Sequence, residues 1–154
     1  MKNDRTGKIL YLSIIGYFVM SASILLMPLG FDNSGKIRPA MYVFGILFWL
    51  GLLTGIAGMI AFSRSVRKTY KADRKARRRP GIITFMSNRI AFIFDAIFAL
   101  SAILVIVSLF TRNLLGYFNY IILCVFVFSL CMHCIFNGKH YYTYKLGNRR
   151  SGEK

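Results

Sequence analysis

RSVRKTYKADRKARRR, residues 64–79, is closed by Pro80-Gly81 and separates two long stretches of hydrophobic chain. Nine of its sixteen residues are Lys or Arg and none is Gly or Pro. No segment so charged can lie in hydrocarbon, so it divides the chain into halves and fixes how the apolar runs on either side are arranged. Those runs are Ile9–Leu29, Met41–Phe62, Ile90–Phe110 and Leu114–Phe136. Three of them contain no Asp, Glu, Lys or Arg, and Ile90–Phe110 contains only Asp95. Each has 21 to 23 residues, against the roughly 20 that cross about 30 Å of hydrocarbon as a helix. Four transmembrane helices follow. They use 87 of the 154 residues, which leaves no length for a separate soluble domain. The expected fold is all-α, a single membrane domain of four helices in an up-down bundle, with a basic loop at 63–89 and a basic aromatic tail at 137–154.

The first run follows Lys2, Arg5 and Lys8 and carries Ser21-Ala22-Ser23, a pattern that suggests a signal peptide. Its apolar core continues through Ile24–Met27, beyond any such cleavage site, and it is expected to remain as an uncleaved first helix. Orientation is read from Lys and Arg. Three precede the first run, ten lie in the central loop through Arg89 and five follow Phe136, while the other two connectors hold only Lys36, Arg38 and Arg112. The positive-inside rule predicts both termini and the central loop in the cytoplasm of a cell with a bacterial-type inner membrane. So strong a bias also argues against insertion in both orientations, and with it against the dual-topology fluoride channels. Small multidrug transporters would require a glutamate in the first helix, and none is there.

On the first helix Ser13, Gly16, Met20 and Ser23 share a face, and Pro28 and Gly30 end it. The connector FDNSGKIRPA, residues 31–40, is short and rich in turn formers, so the first two helices are expected to be antiparallel neighbours. Gly51, Gly55 and Gly58 fall on one face of the second helix, which marks it as the packing centre; Ala57 and Ala61 form a second small-residue pair. The glycine face suits packing within the chain or a homo-oligomeric contact. Beyond Phe62 the pattern predicts a helical arm with cations around most of its circumference and no apolar stripe, lying on headgroups or projecting from them. The last two runs form a helical hairpin ended by Asn137-Gly138. The tail KHYYTYKLGNRRSGEK has too little apolar mass to fold alone.

Asp95 lies about 7.5 Å inside the membrane boundary on a helix that starts at Ile90. Its own helix face holds Ala91, Ala99 and Ala102, so a partner must come from another helix. His133, about 4.5 Å from the same boundary on a helix running the other way, has matching depth; Arg64, Tyr11 and Ser13 are further candidates. An Asp-His pair fits either a static buried contact that sets helix register or a proton or cation site. Cys131-Met132-His133-Cys134 is a C-x-x-C with a third thiol at Cys124. On a helix His133 lies about 180° from Cys124 while the thiols cluster within about 80°, which argues against a metal site. A C-x-x-C in a four-helix membrane chain resembles the vitamin K epoxide reductase and disulfide-bond oxidoreductase group. That resemblance implies thiol redox chemistry at Cys131 and Cys134; the group's second cysteine pair is missing here, and the motif is expected on the reducing side.

No nucleotide-binding, serine-hydrolase or zinc-protease motif occurs, and five acidic residues with two histidines give little acid-base equipment. The chain is therefore expected to be non-enzymatic, without cofactor or bound metal. The favoured reading is an accessory or scaffolding subunit. Its basic loop, through Arg64, Arg67, Lys68, Lys71, Arg74, Lys75, Arg77, Arg78 and Arg79, would dock anionic lipid or an acidic partner protein together with the tail. Nucleic acid ranks below both, because nothing in the chain reads bases. The alternative is a small oligomeric proton- or cation-coupled transporter or channel built on Asp95 and His133.

Overall fold

The computed structural model describes residues 2–32, 34–70, 83–111 and 116–152. Five α-helices account for most of them: α1, Lys2–Leu26; α2, Ala40–Thr69; α3, Arg89–Phe110; α4, Phe118–Phe136; and α5, Lys139–Gly152. Segments Arg5–Gly30, Ala40–Thr69, Arg89–Phe110 and Phe118–Phe136 are long and apolar enough to cross a membrane, as a multi-pass membrane protein requires. The helices overrun the apolar runs at one end. α1 begins at Lys2 rather than near Ile9, and α2 continues seven residues past Phe62. A helix of 30 residues is about 45 Å long, so α2 must project beyond about 30 Å of hydrocarbon.

Pro28 supplies no N–H to continue the helical ladder, and α1 passes into a 3-10 turn at Met27–Gly30. The connector is a tight turn. Phe31 bridges Ile37, and Asp32 Oδ1 accepts from the Ser34 amide at 2.9 Å, the Ser34 hydroxyl at 2.7 Å and the Lys36 amide at 2.8 Å. Gly35, at φ 77°, takes the left-handed conformation that this turn needs. The Ser34 hydroxyl and the Lys36 amide hold the Asp32 carboxyl below its ordinary value.

α1 and α2 pack antiparallel through small residues. A Cβ on Gly51 would lie 2.5 Å from the Met20 backbone nitrogen, one on Gly58 would lie 2.8 Å from Ser13 Cβ, and one on Gly16 would strike the backbone of Gly55. Ser13 donates from its hydroxyl to the Gly55 carbonyl at 2.8 Å across this seam. The glycine face of α2 is thus filled by α1 of the same chain. The expectation that α2 is the packing centre needs correcting: α1 is. The apolar segment of α1 is 39% buried, against 17% for α2. α1 packs on α2 along one side and on α4 along another, α3 packs on α4, and α2 and α3 make at most marginal contact. The spatial order is a row, α2–α1–α4–α3. A glycine face shows how closely one neighbour approaches, not how many neighbours there are.

The buried core sits at the basic end of the row. Leu10, Phe62, Val66, Ala91, Met132, Ile135, Phe136 and Tyr141 form one cluster. Over residues 64–70 this overturns the expectation of an arm without an apolar stripe; the rest of that arm, 71–79, lies outside the described residues. Phe62, Val66 and Tyr70 recur every four residues, and four residues advance a helix by only about 40° past a full turn, so they form a line facing the tail. The tail is helical because that line supplies the apolar partner it lacks alone. Tyr144 packs edge-on against Phe62 at 5.7 Å and Tyr70 at 6.1 Å, and Tyr141 packs against Phe136 at 4.8 Å between ring centres. Gly147 makes room for the Tyr70 ring, whose hydroxyl donates to Asn148 Oδ1 at 2.8 Å. Thr6 and Ser65 share a 2.7 Å hydrogen bond that ties α1 to the projecting turn of α2.

Candidate functional site

Two groups of residues carry the chemistry: a buried polar cluster where α3 meets α4, and the basic end formed by α1, α2 and α5. The cluster centres on Asp95, whose residue is 2% exposed. Asp95 Oδ1 lies 2.7 Å from His133 Nδ1 and accepts from Asn137 Nδ2 at 2.8 Å. Oδ2 accepts from the Met86 backbone N–H at 2.5 Å. The amide nitrogens of Asn137 and Met86 are obligate donors, so the carboxylate acts as the common acceptor at the helix junction. The His133 ring lies between Phe85, with ring centres 4.6 Å apart, and Phe98, stacked at 5.3 Å.

Local sequence explains how these groups meet. Asn88 caps α3, its Oδ1 accepting from Ile90 N at 3.1 Å and Ala91 N at 3.0 Å, while its Nδ2 donates to the Phe136 carbonyl at 3.0 Å. The same side chain therefore starts one helix and ties it to the end of the next. Asn137 follows His133 by four residues and lies on the same face; its Oδ1 accepts from Ser87 N at 3.2 Å. Met86 is the one described non-glycine residue with positive φ, at 53°, and this turn aims its N–H at Asp95. One to two turns deeper, Ser101 and Ser129 hydroxyls lie 3.3 Å apart. Asp95 and His133, paired from their depth in the sequence, are in direct contact. Asn137, Met86 and Phe85 were not anticipated in this site.

Cys124, Cys131 and Cys134 are all free and half-buried, and Cys131 packs against the core cluster. Among the described residues no group of three or more His, Cys, Asp or Glu side chains could hold a metal ion.

At the basic end Arg64, Arg67 and Lys68 stand on the projecting turns of α2. Lys71, Arg74, Lys75, Arg77, Arg78 and Arg79 lie outside the described residues. Arg5, Ile9, Ala61, Arg64, Ser65, Lys68 and Thr69 line a groove between α1 and α2 with a volume of about 650 Å³. A smaller groove on the other flank of Arg64 also reaches Arg67 and Tyr17. Among the described residues no carboxylate is in ion-pair contact with Arg5, Arg64, Arg67 or Lys68.

His140, at the start of α5, lies with Nε2 3.0 Å from Ser63 Oγ. Burial, reinforced by the charges of Lys139 and Arg67, holds its imidazole below the ordinary value of 6.5. A base with a depressed folded pKa favours the folded state when neutral, so its contribution is complete above 6.5 and is lost as pH falls through the lower, folded value. Acidification should therefore loosen α5. Hydrogen exchange of amides 139–146, corrected for intrinsic rates, is expected to rise below pH 6.5, and His140→Gln should flatten that dependence. Compared with protein families, with characterised proteins and with solved structures, the chain matches none.

Proposed function

We propose that the chain is a non-enzymatic inner-membrane protein, an up-down bundle with both termini and the basic segment in the cytoplasm. Its basic face docks the anionic lipid of that leaflet and presents an accessory or scaffolding surface. The observation that carries this reading is the built platform at the basic end. The start of α1, the projecting turns of α2 and the docked α5 are joined by the Thr6–Ser65, His140–Ser63 and Tyr70–Asn148 contacts. They hold Arg5, Arg64, Arg67 and Lys68 together without neutralising carboxylates among the described residues. Each cation near an anionic surface contributes about 1 kcal/mol. An acidic protein would meet the same charge, and the test separates the two.

Reporter fusions after Arg79 and Lys154 should report cytoplasm, and one near Ser34 should report the outside. With topology established, Arg74, Lys75, Arg77, Arg78 and Arg79 are replaced together by Gln. Reconstituted protein should then show a weaker preference for vesicles containing phosphatidylglycerol, keeping the share that Arg5, Arg64, Arg67 and Lys68 supply. Release of a co-purifying acidic protein instead would make that protein the partner, and no change in either would remove the docking reading. The proton- or cation-transporter alternative draws on the Asp95–His133 contact. Both carboxylate oxygens of Asp95 are already engaged by donors of the same chain, which supports a fixed junction.

A further inference from the structure

We propose that the groove between the start of α1 and the end of α2 is a specific site for one anionic phospholipid. Its phosphate would lie on Arg5, Arg64 and Lys68, and an acyl chain would descend over Ile9 and Ala61. The assignment rests on the docking reading above and narrows it to one lipid at one place.

The groove is amphiphilic along its length. Arg64 and Lys68 stand one turn apart on α2, with Ser65 and Thr69 beside them at the same spacing, and Arg5 faces them from α1 one turn beyond Ile9. Below the cations the lining turns apolar. Ile9 opens the first apolar run, and Ala61 precedes the last residue of the second. The change from charge to hydrocarbon therefore falls inside the groove, at the depth where a phospholipid changes from phosphate to acyl chain. Ala61 is exposed, and its small side chain leaves the channel open beside α1. The Thr6–Ser65 hydrogen bond fixes the spacing of the two walls. Guanidinium groups present planar pairs of N–H donors suited to phosphate oxygens, and Lys68 adds a point charge. A soluble anion would satisfy the cations but leave the Ile9 and Ala61 wall uncovered, whereas a lipid covers both.

The test uses the full chain in non-ionic detergent, titrated with phosphatidylglycerol or phosphatidylcholine and followed by native mass spectrometry. Three variants are compared with the wild type: R5Q/R64Q/K68Q, the loop variant R74Q/K75Q/R77Q/R78Q/R79Q, and Ala61→Phe, which keeps every charge but fills the channel. The wild type is expected to retain one phosphatidylglycerol in preference to phosphatidylcholine. The groove triple variant and Ala61→Phe should each weaken that binding by about tenfold or more. The loop variant should change it by less than about threefold, and millimolar inorganic phosphate should not displace the lipid. Should the triple variant fail to fold, Ala61→Phe decides, since its side chain replaces an exposed one. Wild-type binding by Ala61→Phe, or displacement by inorganic phosphate, would overturn the lipid site. Loss in the loop variant alone would leave the docking reading standing and remove the groove from it. No phosphatidylglycerol preference in the wild type would remove both.

Discussion

Asp95→Ala is expected to destabilise the bundle by about 3–5 kcal/mol, since a buried polar group left without its partner costs about 1–3 kcal/mol and three lose theirs at once. The cost is high because one side chain serves three others. Without it the Met86 N–H, the Asn137 amide and His133 Nδ1 lose their acceptor at a site from which water is excluded. Reversible unfolding in bicelles or by steric trapping measures the loss. Asn137→Ala, which removes the donor to Asp95 and the acceptor for Ser87, should cost about 1–3 kcal/mol. Because the two residues share one network, the double variant should cost less than the sum of the two singles. Asp95→Asn separates structure from transport. The amide keeps the shape but presents an NH2 to one of the donors, so the fixed-junction reading expects partial destabilisation. Intact stability with loss of a proton-dependent flux from proteoliposomes would make Asp95 a proton carrier instead.

Gly16→Leu is the second large effect. A Cβ at Gly16 meets the Gly55 backbone nitrogen, and it would lie 2.9 Å from the Gly51 carbonyl oxygen. No side-chain rotation relieves a clash with backbone, so α1 and α2 must separate and the Ser13–Gly55 hydrogen bond goes with the seam. The expected cost is about 3 kcal/mol, the upper end for overpacking a tight interface. Gly45→Ala provides the control. Nothing lies within 4 Å of a Cβ there, so alanine should be neutral or stabilise the helix by up to about 1 kcal/mol. The same unfolding measurement serves both. Equal effects at Gly16 and Gly45 would show that the seam is not closed as described.

The four spanning helices were legible because their length follows from a fixed rise per residue and from runs free of charge. The same arithmetic paired Asp95 with His133, since depth is counted directly from a helix end. Asn137 stands out in the sequence only as a helix stop, although its position four residues after His133 places it on the same face. Met86 and Phe85 were beyond such counting: their positions depend on a left-handed turn before Asn88, and no hydrophobic period encodes it. The docking of the tail is hidden in the sequence for a different reason. Phe62, Val66 and Tyr70 are separated by cations, so the segment looks polar in bulk while its four-residue spacing leaves one narrow packed edge.

The Asp95 junction also constrains how the chain enters a bilayer during synthesis. The first hairpin can close on its own, because the glycine seam joins helices that are adjacent in sequence across a short turn. α3 cannot settle in the same way. Its carboxylate finds His133 and Asn137 only at the end of α4, so for as long as α4 is unmade, α3 alone would carry into lipid an acid partnered only by the Met86 N–H. The second hairpin is therefore expected to insert as a pair, with α3 fully partnered only once about 40 residues beyond Asp95, through Asn137, have been made.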